Sequence, residues 1–187
     1  MPPITAYVSN PSIQIDGQAN ISLTDTLLEM LVEEDVDGLY HCEVTFNNFG
    51  QVNGGPGFLY FGRDVLDFGK ELAITIGPSD ASSTIFQGRI SALEAEFLPD
   101  GSPRITALAE DRLQELRMKR RTRSFDELSD GDVIQQVAGE YSLTPDVSLN
   151  GPTHKVLAQV NQSDLAFLRE RARSAGAELW VEGSTLH

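Results

Sequence analysis

Few residues in this chain could do chemistry, and their spacing argues against most reactions. Histidine occurs at His41, His154 and His187, with no pair one helical turn apart, and Cys42 is the single cysteine. A structural zinc site needs about four nitrogen or sulfur donors, usually announced by closely spaced ligands. No such spacing exists, so no metal is expected. One cysteine forms no intrachain disulfide, and inside the strand-like Tyr40–Phe46 it reads as a small core hydrophobe, not a nucleophile. Asp35-Val36-Asp37-Gly38 and Asp130-Gly131-Asp132 look superficially like calcium loops, but both lack the alternating ligands and distal glutamate of one, and they read as turns. There is no G-x-x-x-x-G-K-[ST] phosphate loop and no G-x-S-x-G elbow. Glu33-Glu34 and Glu94 with Glu96 reflect an acidic composition; acid–base catalysis needs a raised pKa in a cleft, which abundance does not supply. The expectation is a protein that is not an enzyme and carries no cofactor.

One charged run stands apart. Arg117, Lys119, Arg120, Arg121 and Arg123 put five bases within seven residues. As a functional element this would be a loop contacting phosphate or an acidic partner. The blander and preferred reading is a solvated interdomain loop that offsets an acidic neighbour, including one from another subunit. The rest of the charge points the other way. The net charge is −14, and residues 1–110 hold 16 acids against 4 bases, whereas residues 111–187 hold 12 against 10. Such a surface repels nucleic acid and anionic lipid, so neither is an expected partner. No run of about 18 apolar residues exists to span a membrane. Met1–Thr5 has neither the basic nor the apolar region of a secretory signal.

The elements that must position these residues fall into two textures. Residues 1–110 read as β: Ile4–Ser9, Ser12–Leu23, Tyr40–Phe46, Leu72–Ile76, Thr84–Leu98 and Arg104–Ala109 are rich in strand formers and separated by turn residues. Leu27–Glu34 is ambiguous, but the turn residues Asp35–Gly38 and the alternation after them favour a strand over a helix. Asn53–Gly57 reads as a loop and Pro99–Ser102 as a hairpin turn. About seven short strands imply a small antiparallel β-barrel or sandwich. From Asp111 the texture is α+β: a short helix over Asp111–Met118, then Ser129 as cap with Asp132 three residues on, and an apolar stripe of Val133, Ile134, Val137, Ala138 and Tyr141. Pro145 should end that helix, and Lys155–Val160 reads as a strand. Domains are expected at 1–110 and 111–187.

The last stretch carries the clearest signal. Ser163 is a helix cap with Asp164 in the first turn, Leu165, Leu168 and Ala172 form one apolar stripe, and Arg169, Arg171 and Arg173 should stay solvated. Gly176 suits the left-handed position past the helix, and Ala177–Gly183 reads as a return strand. Thr185–His187 resembles the start of a further strand, which suggests a chain cut short within a hairpin.

The run Asn161–His187 resembles the late control D family of tailed phages, which also covers the N-terminal part of VgrG spike proteins and the hubs of other contractile injection machines. Three more segments carry the resemblance in the same order. Asp35–Leu39 leads into an alternating strand, Phe86–Ile90 with Ala107–Leu116 is similar to a last barrel strand and its exit, and Arg120–Phe125 with Asp132–Ile134 is similar to a basic loop and first helix. The resemblance implies a baseplate hub joining a hexameric tube to a trimeric spike. It further implies a homotrimer with tube and spike proteins as partners, assembled in the bacterial cytoplasm into a virion or tail-like particle. A competing resemblance covers Ser129–Leu149, similar to a LysM glycan-binding module, although Arg121–Ser124 reads as a poor flanking strand for one. A cell-wall hydrolase attached to a tail is the remaining alternative.

Overall fold

The computed structural model describes residues 11–35, 39–78, 82–99 and 101–187. The chain forms two compact units, one of Met1–Asp35 and Tyr40–Glu110, the other of Val36–Leu39 and Asp111–His187. The protein is mostly β with α+β character. The expected strand at Ile4–Ser9 lies outside the described residues, as does part of the Asp35–Gly38 turn.

The first unit is built on one antiparallel sheet. Its strands are β1 (Ser12–Ile15), β2 (Gln18–Ala19), β3 (Leu27–Glu33), β4 (His41–Asn47), β7 (Glu71–Ile76), β8 (Ser83–Glu96) and β9 (Arg104–Glu110), in the spatial order β2-β1-β7-β8-β9-β4-β3. Alternate residues point inward, as a two-residue period requires. Cys42, Val44 and Phe46 of β4, Leu72 and Ile74 of β7, and Ile105, Ala107 and Ala109 of β9 are buried in one core with Ile13, Phe86 and Ile90. Among the described residues no ladder joins β2 to β3, so the sheet is open and a closed barrel is not seen.

Gly88 sits where β8 crosses that core. A Cβ there would collide with the carbonyl oxygen of Glu110 and lie 2.6 Å from the Phe86 ring. Only glycine lets the two backbones approach so closely. Beyond it the β8–β9 register shifts between Ile90 and Ala92, the mark of a bulge in this 14-residue strand.

Two expectations for this unit are corrected. Ser12–Leu23 is not strand throughout, because Ile21–Thr26 forms a short helix, α1. Asn20 caps it, its side-chain oxygen accepting from the Leu23 amide at 3.0 Å, and Leu23 is driven into the core. The Tyr60 hydroxyl, bonded to Ser22 and Thr26, pins the turn from 34 or more residues away. Asn53–Gly57 is not a loop either. Phe49–Val52 (β5) and Gly55–Phe58 (β6) form a hairpin whose turn is only Asn53-Gly54, with φ of 53° and 87°. Positive φ at both positions matches the right-handed strand twist, which is why Asn-Gly serves there. Leu27–Glu33 is a strand, as expected.

The second unit packs helices on a two-stranded antiparallel sheet. After α2 (Leu113–Arg117), β10 (Arg120–Leu128) pairs with β12 (His154–Ser163), and α3 (Asp130–Glu140) and α4 (Asp164–Ser174) cover them. Both helices start from serine caps: Ser129 exchanges hydrogen bonds with Asp132, and Ser163 accepts from the Ala166 amide. Val133, Ile134, Val137 and Ala138 of α3 share one core with Leu165 and Leu168 of α4, where Phe125 and Phe167 stack at 5.7 Å. Gly176, at φ 70°, ends α4. The expected stop at Pro145 comes late, because α3 already ends at Glu140. Pro145 lies in β11 (Thr144–Pro145), which pairs in parallel with β14 (Thr185–Leu186). The return strand is shorter than expected, since only Val181–Glu182 (β13) is strand; the Ala177 amide is taken by the Ala172 carbonyl at the helix end.

Candidate functional site

The basic segment is not a loop. Arg117 closes α2, Lys119 follows it, and Arg120, Arg121 and Arg123 belong to β10. Arg120 donates to the Asn161 carbonyl at 2.8 Å. Arg121 and Arg123, two apart, project from one face of the strand. Both reach the same two carboxylates: Arg121 meets Glu140 at 2.9 Å and Asp164 at 3.1 Å, and Arg123 meets Glu140 at 2.6 Å and Asp164 at 2.8 Å.

Asp164 is the centre of this network. It is the first residue of α4 and is wholly buried, where an ionised carboxylate is costly unless fully bonded. Besides the two guanidinium groups, the Tyr141 hydroxyl donates to it at 2.6 Å and the Gln159 amide at 2.9 Å. Gln159, also wholly buried, accepts from Arg123 at 2.8 Å. Burial, and then the hydrogen bond to Asp164, push the Tyr141 phenol above its ordinary pKa. Two acids and two bases thus close a neutral cluster tying β10, α3, β12 and α4 together.

A second buried carboxylate repeats the pattern. Asp130 accepts from Arg171 Nε at 2.6 Å and Nη2 at 3.1 Å, with His154 Nε2 at 3.3 Å. The Arg171 hydrogen bond holds its pKa below the ordinary value. Arg171 is therefore not the solvated residue its place on a polar helix face suggested. Cys42 is buried, and desolvation pushes its thiol up to about 12, so it stays protonated and unreactive at neutral pH. His41, His154 and His187 each lie beside a carboxylate on separate elements. Among the described residues no group of three or more His, Cys, Asp or Glu is placed to hold a metal ion, and no helix is long and apolar enough to cross a membrane. Glu94 and Glu96 sit exposed on β8.

One surface escaped sequence reasoning. Phe49 and Phe58 of the β5–β6 hairpin and Phe97 after β8 are 44%, 46% and 60% exposed. Phe58 lies 4.9 Å from the Phe61 ring and 6.0 Å from Phe97, so four aromatic rings form one patch in the first unit. Contiguous exposed apolar surface of this kind marks contact sites. The signal is weak in sequence because the four residues span 49 positions and meet only in the fold.

Comparison with known proteins adds the following. A family model described as the Alg8 N-terminal domain matches residues 5–187. The fold is similar to that of a 43 kDa tail protein of prophage MuSo2 from Shewanella oneidensis, with a TM-score of 0.70 and 11% identity over 95% of this chain and 52% of that one. It is also similar to a tail protein from Neisseria meningitidis MC58, with a TM-score of 0.66 and 14% identity over 96% and 50%. The chain thus spans about half the length of either protein. An Escherichia coli type VI secretion component aligns at a TM-score of 0.49 with 12% identity over 89% and 40%, a likeness too weak to carry an argument. No curated protein matches the sequence.

Proposed function

The chain belongs to the Alg8 N-terminal domain family and has a fold shared with phage tail proteins, and from that premise we propose that it is a structural component of a phage tail or tail-like particle. The observation that carries this is the fold likeness over 95% of the chain to a tail protein. The finer reading is a baseplate hub of the late control D and VgrG type, in which three copies build a ring between a hexameric tube and a trimeric spike. In that reading the first unit is the wall of a ring barrel. That reading calls for a second barrel per subunit, and the chain spans about half the length of the similar tail proteins.

Two features of the molecule suit an assembly role. The four-phenylalanine patch offers a contact surface, and β3, with Leu28 and Leu31 exposed, is an edge of the sheet among the described residues. No reaction is part of the proposal. Asp164 and Asp130 are bound to arginines and the one thiol is held protonated, arrangements that serve the structure of each unit.

Purified particles test the role: mass spectrometry should find the protein there, and deleting its gene should leave no assembled tails. Normal particles from the deletion strain would refute it. Light scattering tests the hub reading. Residues 1–187 should be largely monomeric at micromolar concentration, and a longer chain carrying a second barrel should be a trimer. A monomeric longer chain counts against the hub. Clearing of a peptidoglycan zymogram would favour the tail-hydrolase alternative.

A further inference from the structure

The second unit holds a cleft of about 270 Å³ that neither carboxylate network uses. Its floor is apolar: the buried Ile134 of α3 and Ala172 of α4 line it together with the partly buried Leu149 and Leu179. Asp146, Glu178 and Trp180 form the rim. The Trp180 indole is 48% exposed, an unusual place for the largest apolar side chain in the protein. It is held there on purpose-built backbone. The Trp180 and His187 amides each donate to the other's carbonyl, at 3.2 and 2.9 Å, and the two rings stack at 5.0 Å with 13° between their planes. His187 is fixed in turn by Asp146, 3.2 Å from its Nδ1.

We propose that this cleft seats an arginine or lysine side chain presented by a basic segment of a partner protein. The rim matches a cation in three ways. Ionised Asp146 and Glu178 are acceptors only, suited to guanidinium or ammonium donors. An indole face attracts a cation, Trp being the best aromatic for it. The apolar floor accommodates the aliphatic stem that carries the charge. The volume falls just under the usual range for small-molecule pockets, which fits one long side chain. The charge that draws the cation is local, Asp146 and Glu178 at the rim, since residues 111–187 as a whole hold 12 acids against 10 bases. A sugar ring is the weaker match, because it carries no charge to answer the two rim carboxylates.

Trp180 is the only tryptophan, so its fluorescence reports the cleft directly. The probe is acetyl-Leu-Arg-Leu-amide, with the citrulline peptide as a neutral isostere. The arginine peptide should change Trp180 emission saturably and the citrulline peptide at least tenfold less effectively. The double variant Asp146→Asn, Glu178→Gln should lose that discrimination while keeping its far-ultraviolet circular dichroism. Glu94→Gln with Glu96→Gln in the first unit removes the same charge elsewhere and should leave the response intact. An equal response to both peptides, or none to either, overturns the proposal. So does saturable binding of an N-acetylglucosamine tetramer without an arginine response, which assigns the cleft to glycan.

Discussion

Tyr141, the residue that caps the end of α3, donates its hydroxyl to Asp164, the residue that begins α4, across 2.6 Å. A bond between the end of one helix and the start of the next fixes their relative placement in the second unit. It also makes the buried carboxylate dependent on every donor around it.

Asp164→Ala should therefore destabilise the protein by about 3–5 kcal/mol, because two arginines lose the charge that compensates them. Tyr141→Phe, which removes one of four donors, should cost about 2 kcal/mol. Urea unfolding monitored by circular dichroism measures both. Equal losses from the two substitutions would count against Asp164 as the centre.

Asp130 governs acid stability. Its pKa is lower in the folded protein than its ordinary value of 3.8, chiefly through Arg171. The folded state therefore binds fewer protons than the unfolded state around that pH. The associated stability is complete above the unfolded value and is lost as pH falls through the folded one. Urea midpoints should drop as pH falls below about 4 in the native protein, and Asp130→Asn should flatten that part of the curve. An unchanged slope in the variant would remove Asp130 from the account.

Gly88→Ala tests the close crossing of β8 and β9. The new methyl must displace the Glu110 backbone or the Phe86 ring, a strain of about 1–3 kcal/mol or more. The melting temperature should fall by several degrees, whereas Gly55→Ala, with open space around its Cβ position, should change it little.

The phenylalanine patch separates assembly from folding. Phe58→Ser with Phe97→Ser should reduce incorporation into particles and binding of hydrophobic dyes, with only a small loss of stability, since both rings are about half exposed or more. Full incorporation of the double variant would show that this surface faces solvent in the assembly.

What the sequence made legible was local. Ser129 and Asp132 lie three residues apart, so the capping box and the stripe behind it are readable from spacing alone. The strand at Leu27–Glu33 was legible from the turn residues that follow it. What depended on distant partners was not. Asn20 begins a helix because Tyr60 braces it, and nothing within Ser12–Leu23 reveals that tyrosine. Arg121 and Arg123 were visible as charge, but their direction was set by Asp164, some 40 positions on. Their two-residue spacing was the available hint of a strand, and the density of charge obscured it.

The parallel pairing of Thr144–Pro145 with Thr185–Leu186 has a consequence in time. Two pairs of residues close a loop of about 40, a large entropic cost for a small ladder. Leu186, wholly buried, packs into the core that Leu113 and Leu116 of α2 also enter. During synthesis that core lacks Leu186 until β14 has left the ribosome, so its packing is completed late.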